Sequence, residues 1–483
     1  MSEFFVEPVV EPGKYICRWK LPAIPTDGKE RELFGSVALE PYLPPFCDVY
    51  GDVPYRQVGN KVSFPQTFEY PLVTGRLQNN MDIVLVDAVA EPFMLDSGFL
   101  HSRAALVGLG VAQVPEQRYS VCRVQVTGLD PLFGRPPLRE VAVPRNSPFI
   151  DATFSARGEP ASSQVWKEEG IEIRCSYDMK ASGPNFYHHE LSFVPIVTLK
   201  AEASLTLDEW LDDWVAPLVW LTTLATGQQQ KISWLGLKST SDQSPPDGAT
   251  EATAQVFGAG ISQAPYRSTG RPVDDEGRRI RSLIALSDSG LSLPALLRRS
   301  KSIEATANPF PELYRLVLMT ELPERSRFLY LVQALEGLHG FENRVRLEAS
   351  AEEHRTIRSA VLKRLAGVLD RKDADYLRDT WPNRPPGNLA RVLQELNTEL
   401  PSSASASIEP LRETELGREF GQAEPVIDML RGIRNNLAHG DRGYDNTALA
   451  PWNDVLDRLA RAHMLRLLDC PQSVVEGAIV AED

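Results

Sequence analysis

Residues 431–440 carry the side chains in this chain that could do chemistry, in the order Arg-Gly-Ile-Arg-Asn-Asn-Leu-Ala-His-Gly. An imidazole titrates near neutral pH and can give or take a proton. A guanidinium binds a phosphate and stabilises charge that develops on it. An Arg/His pair without metal ligands nearby suits attack by an RNA 2′-hydroxyl on its own phosphodiester, because that reaction needs proton transfer and charge stabilisation but no bound nucleophile.

A helix over residues 425–439 is predicted to position these side chains. Its apolar residues recur at spacings of three and four and form one stripe, which consists of Val426, Leu430, Ile433 and Leu437. Asn435 and His439 lie nearly opposite that stripe and are one turn apart, so their side chains can meet. Arg434 lies on the flank between the two faces, and Arg431 lies one turn before Asn435.

Gly440 follows His439 directly, where a helix commonly ends in a left-handed residue. The partial negative charge of a helix C-terminus favours a protonated imidazole there. Spacing alone leaves a simpler interpretation open, in which His439 only caps the last carbonyl groups of a solvated helix end.

Composition describes a globular chain of about two or three domains. Of its 483 residues, 42% are apolar and 24% charged, and the formal net charge of −14 argues against a protein that coats nucleic acid non-specifically. The five cysteines form no C-x-x-C pair, so neither a zinc site nor a disulfide framework is expected. We expect a cytoplasmic protein with no metal, no cofactor and no membrane segment.

The fold class is predicted as α+β. Residues 1–275 read as an antiparallel β-rich domain, a sandwich or open barrel, because short β-branched and aromatic runs alternate with Pro and Gly clusters. This domain contains one long helix, which opens at a capping box of Thr206 and Glu209, bends at Pro217 and ends at Gly227.

Residues 276–483 read as a bundle of four or more helices. We expect short helices at 282–285 and 291–299 and a strong helix over 326–339, whose apolar face consists of Phe328, Leu331, Leu335 and Leu338. Residues 401–407, Pro-Ser-Ser-Ala-Ser-Ala-Ser, are predicted to be a small-residue loop.

The sequence Arg434-Asn435-x-x-x-His439, late in a helical domain, resembles the R-N-x-x-x-H motif of HEPN ribonucleases. The order of helices, with Gln333-Ala-Leu-Glu336 upstream, is similar to the ApeA-like HEPN domain. The β-rich region, which ends in Leu207-x-x-Trp210 and Leu221-x-x-Leu224-Ala-Thr-Gly227, resembles the ApeA N-terminal domain.

The resemblance implies a metal-independent endoribonuclease that leaves a 2′,3′-cyclic phosphate and a 5′-hydroxyl. His439 is then the general acid or base, Arg434 binds the scissile phosphate, and Asn435 orients the pair. Two bundles pair in the family, so RNA and a homodimeric partner are the expected partners. The implied biology is growth arrest in bacterial defence against phage, with the β-rich domain as the sensor of a phage-derived trigger.

Several side chains near the motif keep alternative roles. Arg431 and Arg442 are candidates to bind RNA beside the motif. Glu336 matches a position that is acidic in the family, but it could equally cap or pair within the bundle. Some related families have a tyrosine two residues after the histidine for nucleotide modification; here that residue is Asp441, and the nearest tyrosine is Tyr444.

Two rival functions stand beside the ribonuclease. One is a non-catalytic HEPN-type module that only dimerises or binds a partner, and the acidic composition favours it. The other is a β-rich domain that binds a small ligand or carbohydrate, with the helices as a scaffold.

Overall fold

A computed structural model describes residues 9–23, 28–58, 61–62, 65–142, 153–156, 163–168, 170–185, 188–239, 253–265, 281–287, 290–385, 389–421 and 423–480. The chain divides into two compact units, Met1–Leu297 and Arg298–Asp483. Antiparallel strands make up most of the described residues of the first unit, and helices dominate the second, which confirms the predicted α+β class. No described helix is both long and apolar enough to cross a membrane.

Sixteen strands are described in the first unit. They are β1 Gly13–Leu21, β2 Arg31–Leu39, β3 Phe46–Gly51, β4 Gln57–Val58, β5 Lys61–Val62, β6 Phe68–Leu77, β7 Asp82–Met94, β8 Ser97–Gly108, β9 Tyr119–Val126, β10 Leu138–Ala142, β11 Thr153–Ala156, β12 Gln164–Glu168, β13 Ile171–Asn185, β14 His188–Leu205, β15 Ile232–Lys238 and β16 Thr253–Gly258.

Six of these strands close into a barrel in the order β1-β2-β3-β8-β7-β6, and β6 pairs again with β1. Alternation of buried and exposed residues, clearest on β1 and weaker on β7 and β8, directs one face of these strands inward. On β1, for example, Cys17, Trp19 and Leu21 are buried while Arg18 and Lys20 are exposed. The barrel is therefore closed, where the sequence left a sandwich or an open barrel as alternatives.

The remaining large strands extend an open sheet from the far half of β8, in the order β8-β16-β15-β9-β14-β13-β12. The predicted long helix packs on β9. It consists of α2 Leu207–Trp210, a π-helical turn Leu211–Val215 and α3 Ala216–Thr226. The indole Nε1 of Trp210 donates a hydrogen bond to the Tyr119 carbonyl at 3.1 Å.

The predicted start and end of this helix are present. Thr206 and Glu209 form both hydrogen bonds of the capping box, and Gly227 ends the helix at φ 71°. The π-helical turn ends two residues before Pro217, a residue that interrupts the regular hydrogen bonds of a helix.

The first unit continues past residue 275, where composition placed the boundary. The amide of Leu283 donates to the Ala225 carbonyl at 2.8 Å, and the amide of Leu286 donates to the Leu132 carbonyl at 2.9 Å. Leu132 lies in the short helix α1 Leu129–Phe133. Residues 282–285 are not helical, so that prediction was wrong; the Leu283 amide bonds to the end of α3 instead.

Helices form the second unit, and the first of them begins in the first unit. They are α4 Leu293–Glu304, α5 Phe310–Met319, α6 Glu324–Glu342, α7 Arg344–Leu365, α8 Arg371–Thr380, α9 Leu389–Thr398, α10 Ser403–Ile408, α11 Glu415–Phe420, α12 Val426–His439, α13 Asn446–Leu467 and α14 Gln472–Ile479. Helix α6 packs against α5, α9, α12 and α13. Its predicted apolar face of Phe328, Leu331, Leu335 and Leu338 is buried.

Residues 401–407 were predicted to be a loop, and that prediction was wrong because α10 lies there. Ala404 and Ile408, one turn apart, are both buried, and α10 packs against α14. Tertiary packing therefore stabilises a helix that small polar residues do not favour by themselves.

Candidate active site

Helix α12 carries the candidate catalytic residues on its polar side. Its buried residues are Val426, Met429, Leu430 and Ile433. Three of the four predicted stripe residues are thus in the core, while Leu437 is half-buried near the helix end. Asn435 and His439 are exposed, as the helical period requires.

The end of α12 has the predicted glycine cap. Gly440 adopts φ 73° and its amide donates to the Asn436 carbonyl, which also accepts from the Asp441 amide at 3.0 Å. Only a residue without a Cβ enters this left-handed conformation at no steric cost. The cap holds His439 at the terminus where the helix carries partial negative charge.

Arg434 is held between two partners. Its Nη2 lies 3.4 Å from Oε2 of Glu336 on α6, and its Nη1 donates to Oδ1 of Asn435 at 3.2 Å. The Arg434 side chain is 34% exposed and that of Glu336 is 30% exposed, so solvent weakens the electrostatic attraction between them. Glu336 therefore pairs within the bundle, which is one of the roles that the sequence left open, and its partner is the motif arginine.

His439 is not joined to these residues. Among the described residues, no hydrogen bond or ion pair is recorded for its imidazole, and Asn435 makes its side-chain bond with Arg434 instead. The sequence predicted that Asn435 and His439 could meet across one helical turn. The structure brings Arg434, Asn435 and Glu336 together and leaves the imidazole facing solvent.

Arg431 and Arg442, the candidate RNA-binding residues, each contact a carboxylate. Nη2 of Arg431 lies 3.0 Å from Oδ1 of Asp428, one turn earlier on α12. The Arg442 guanidinium pairs with Glu419 of α11 and lies over the ring of Tyr444, 4.9 Å from its centroid. To bind an RNA phosphate, each arginine must either leave its carboxylate partner or bind the phosphate and the carboxylate at the same time.

A hydrogen bond that the sequence did not predict fixes the segment after the helix. Nδ2 of Asn436 donates to Oη of Tyr444 at 2.6 Å, and Nε of Arg325 on α6 donates to the Tyr444 carbonyl at 2.9 Å. Tyr444 is only 4% exposed. In the sequence, only the position of this tyrosine, shortly after a helix that ends in polar residues, could have indicated the contact. A tyrosine buries its ring and still needs a hydrogen-bond partner for its hydroxyl.

These groups together can move protons and hold an anion. The exposed imidazole of His439 at a helix C-terminus can accept or donate a proton, and the Arg434 guanidinium, five residues earlier on α12, can stabilise a charged phosphate. The described residues contain no group of three or more His, Cys, Asp or Glu side chains that could hold a metal ion.

Comparison with known protein families gives a match. The family described as ApeA N-terminal domain 1 matches residues 14–299, which is more than half of the chain. Searches of curated proteins and of solved structures gave no match.

Proposed function

Because the chain belongs to the ApeA N-terminal domain 1 family, we propose that it is an anti-phage effector whose helical unit is a metal-independent endoribonuclease of the HEPN type. The family indicates anti-phage defence. The observation that carries the catalytic part is the end of α12, where Arg434 is oriented by Glu336 and Asn435 and the imidazole of His439 is exposed.

In the proposed reaction, the RNA 2′-hydroxyl attacks the adjacent phosphorus and the bond to the 5′-oxygen breaks. His439 transfers a proton as general base or general acid. Arg434 neutralises the charge that develops on the phosphoryl oxygens, and Asn435 keeps its guanidinium in place. The products are a 2′,3′-cyclic phosphate and a 5′-hydroxyl.

A second copy of the chain is the proposed partner at this face. Acid–base catalysis of this reaction uses both a base and an acid, and one α12 offers a single imidazole. A two-fold symmetric pair would supply the second from the same position of the other copy. The exposure of Asn435 and His439 in one copy supports such a face.

In this proposal, the helical second unit, Arg298–Asp483, is the ribonuclease domain, and the first unit, Met1–Leu297, is the sensor domain, which receives a phage-derived trigger. The closed barrel and the open sheet within the first unit provide the scaffold for that role.

RNA cleavage by the purified protein in EDTA tests the catalytic proposal. We expect His439→Ala and Arg434→Ala each to lower the rate by about 10² or more, because each removes a group that acts in the transition state. His101→Ala, which alters an exposed histidine of the first unit, serves as the matched control. Cleavage or toxicity that survives both motif substitutions contradicts the proposal.

A non-catalytic HEPN-type dimerisation module is the second candidate. The observation that favours it is that Arg431, Arg434 and Arg442 all contact carboxylates. That candidate requires a dimer that cleaves no RNA in EDTA, and it is excluded if the wild type cleaves and the His439 variant does not.

A further inference from the structure

Helices α7 and α8 form a hairpin that contributes almost nothing to the core of the second unit. Ala351 is the single buried residue of α7, and α8 has none. A helix of 22 residues is about 33 Å long, so the turn between the helices lies about that far from the end of α6. The hairpin therefore projects from the bundle.

Specific contacts hold α7 and α8 together. Nε of Arg358 donates to the Trp381 carbonyl at 2.9 Å, and Nε2 of His354 lies 3.1 Å from the Pro382 carbonyl oxygen. The rings of His354 and Trp381 meet edge to face, with centroids 6.4 Å apart. These side chains bond carbonyl groups at and after the end of α8, where a helix lacks internal partners. The hairpin is thus a defined element and not a frayed one.

The hairpin is positively charged in an acidic chain. Residues 344–384 contain ten arginines or lysines and seven aspartates or glutamates, whereas the whole chain has a net charge of −14. Four of the cations flank the turn at the tip, where all are exposed: Lys363 and Arg364 end α7, and Arg371 and Lys372 begin α8.

The carboxylates near the tip neutralise little of the positive charge of these four side chains. Nε of Arg371 lies 3.9 Å from Oδ2 of Asp375, yet the Arg371 side chain is 98% exposed. Asp370 is occupied as the cap of α8, where its Oδ1 accepts from the Asp373 amide at 2.9 Å. Among the described residues, no ion pair is recorded for Lys363, Arg364 or Lys372.

We propose that the tip cluster, Lys363, Arg364, Arg371 and Lys372, is a second contact for the phosphate backbone of RNA. This rests on the proposed ribonuclease function and narrows its substrate class. Helix α6 holds Glu336, the partner of Arg434, and leads into α7 after Glu342. A substrate that touches both α12 and the tip must span tens of ångströms, because α7 separates them, and a folded RNA provides that span with a fixed shape.

The chemistry of the tip favours RNA over a protein. A stable protein interface buries about 800 Å² on each side around an apolar or aromatic core. The tip offers Val368 at 81% exposure and, farther along α8, Tyr376 at 67%. Phosphate binding requires only accessible cations, and shape-based contacts to folded RNA need no sequence-specific pocket.

The experiment measures the affinity for a folded stem-loop RNA by fluorescence anisotropy at several salt concentrations, in full-length protein that carries His439→Ala to prevent cleavage. The test variant reverses all four tip cations to Glu. The matched control reverses four exposed cations of the first unit, Arg18, Lys20, Lys200 and Lys231, and so makes the same change in net charge. A second test variant with Gln at the four tip positions avoids new repulsion.

We expect the tip variants to bind the stem-loop at least about tenfold more weakly than the control and to lower the slope of log K against log salt by about 3. In protein with His439 intact, cleavage of an oligonucleotide too short to reach the tip should be unchanged. Equal affinities and slopes for the tip variants and the control overturn the proposal. The proposal is also overturned if the tip variants lose oligomerisation but keep their RNA affinity, because the hairpin would then be a contact between copies of the chain. A wild type that binds through the tip but cleaves nothing refutes the ribonuclease and leaves the tip site standing.

Discussion

Acidification should destabilise the helical unit through His463. This residue lies on α13, is 1% exposed, and its Nδ1 has no hydrogen-bond partner among the described residues. Burial lowers the pKa of the His463 imidazole to about 3, and the charge of Arg466 acts in the same direction. The folded chain therefore holds this ring neutral.

The size of the effect follows from proton uptake by the unfolded chain. An unfolded imidazole has a pKa of about 6.5, so it is almost fully protonated at pH 5, whereas the folded ring is still neutral. The free energy of unfolding should thus fall by about 2 kcal/mol between pH 7 and pH 5 from this group alone. For a unit of this size, that loss lowers the melting temperature by about 4 to 8 °C.

Urea unfolding of the full-length protein, followed by helical circular dichroism at both pH values, measures this difference. His463→Leu keeps a similar volume and removes the titration, so we expect its stability to lose about 2 kcal/mol less than the wild type on acidification. Wild type and His463→Leu share every other titrating group, so the difference between their pH dependences measures the contribution of His463. His101→Leu, at an exposed position, should behave as the wild type. Equal pH dependence for wild type and His463→Leu would refute the reasoning.

Two further predictions concern the end of α12. Glu336→Gln should change the free energy of unfolding by less than about 1 kcal/mol, because the pair with Arg434 is partly exposed, but should slow single-turnover RNA cleavage about tenfold. An unchanged cleavage rate means that Glu336 does not orient Arg434. Gly440→Ala forces a Cβ into φ 73° and should cost about 1 kcal/mol in thermal unfolding, with Gly440→Asn costing less; equal melting of the alanine variant and the wild type contradicts this.

The local features of the site were predictable because they are encoded within one helix. The period of Val426, Leu430 and Ile433 fixes which face of α12 is buried, and a glycine after the last polar residue fixes where it ends. The exposure of Asn435 and His439 follows from the same period. The capping box at Thr206 is encoded equally locally, by two residues three positions apart.

Contacts between distant segments were not predictable to the same degree. The ion pair of Arg434 with Glu336 joins residues 98 positions apart, and the sequence indicated only that Glu336 could cap or pair within the bundle, without a partner. The bond between Asn436 and Tyr444 depends on how the chain turns after Gly440. Closure of the barrel depends on β3 and β6, whose short or proline-interrupted runs give weak local signals.

Strand β8 belongs to both the barrel and the open sheet, and this determines the order in which the two form during synthesis. All six barrel strands come from one continuous stretch, residues 13–108, so the ring can close as soon as that stretch has left the ribosome. The far half of β8, where Val107 pairs with Gln255, must then wait for about 150 more residues before its outer edge is covered. A nascent chain therefore passes through a stage with a complete barrel and an unprotected strand edge, which is the form most open to mispairing and to capture by chaperones.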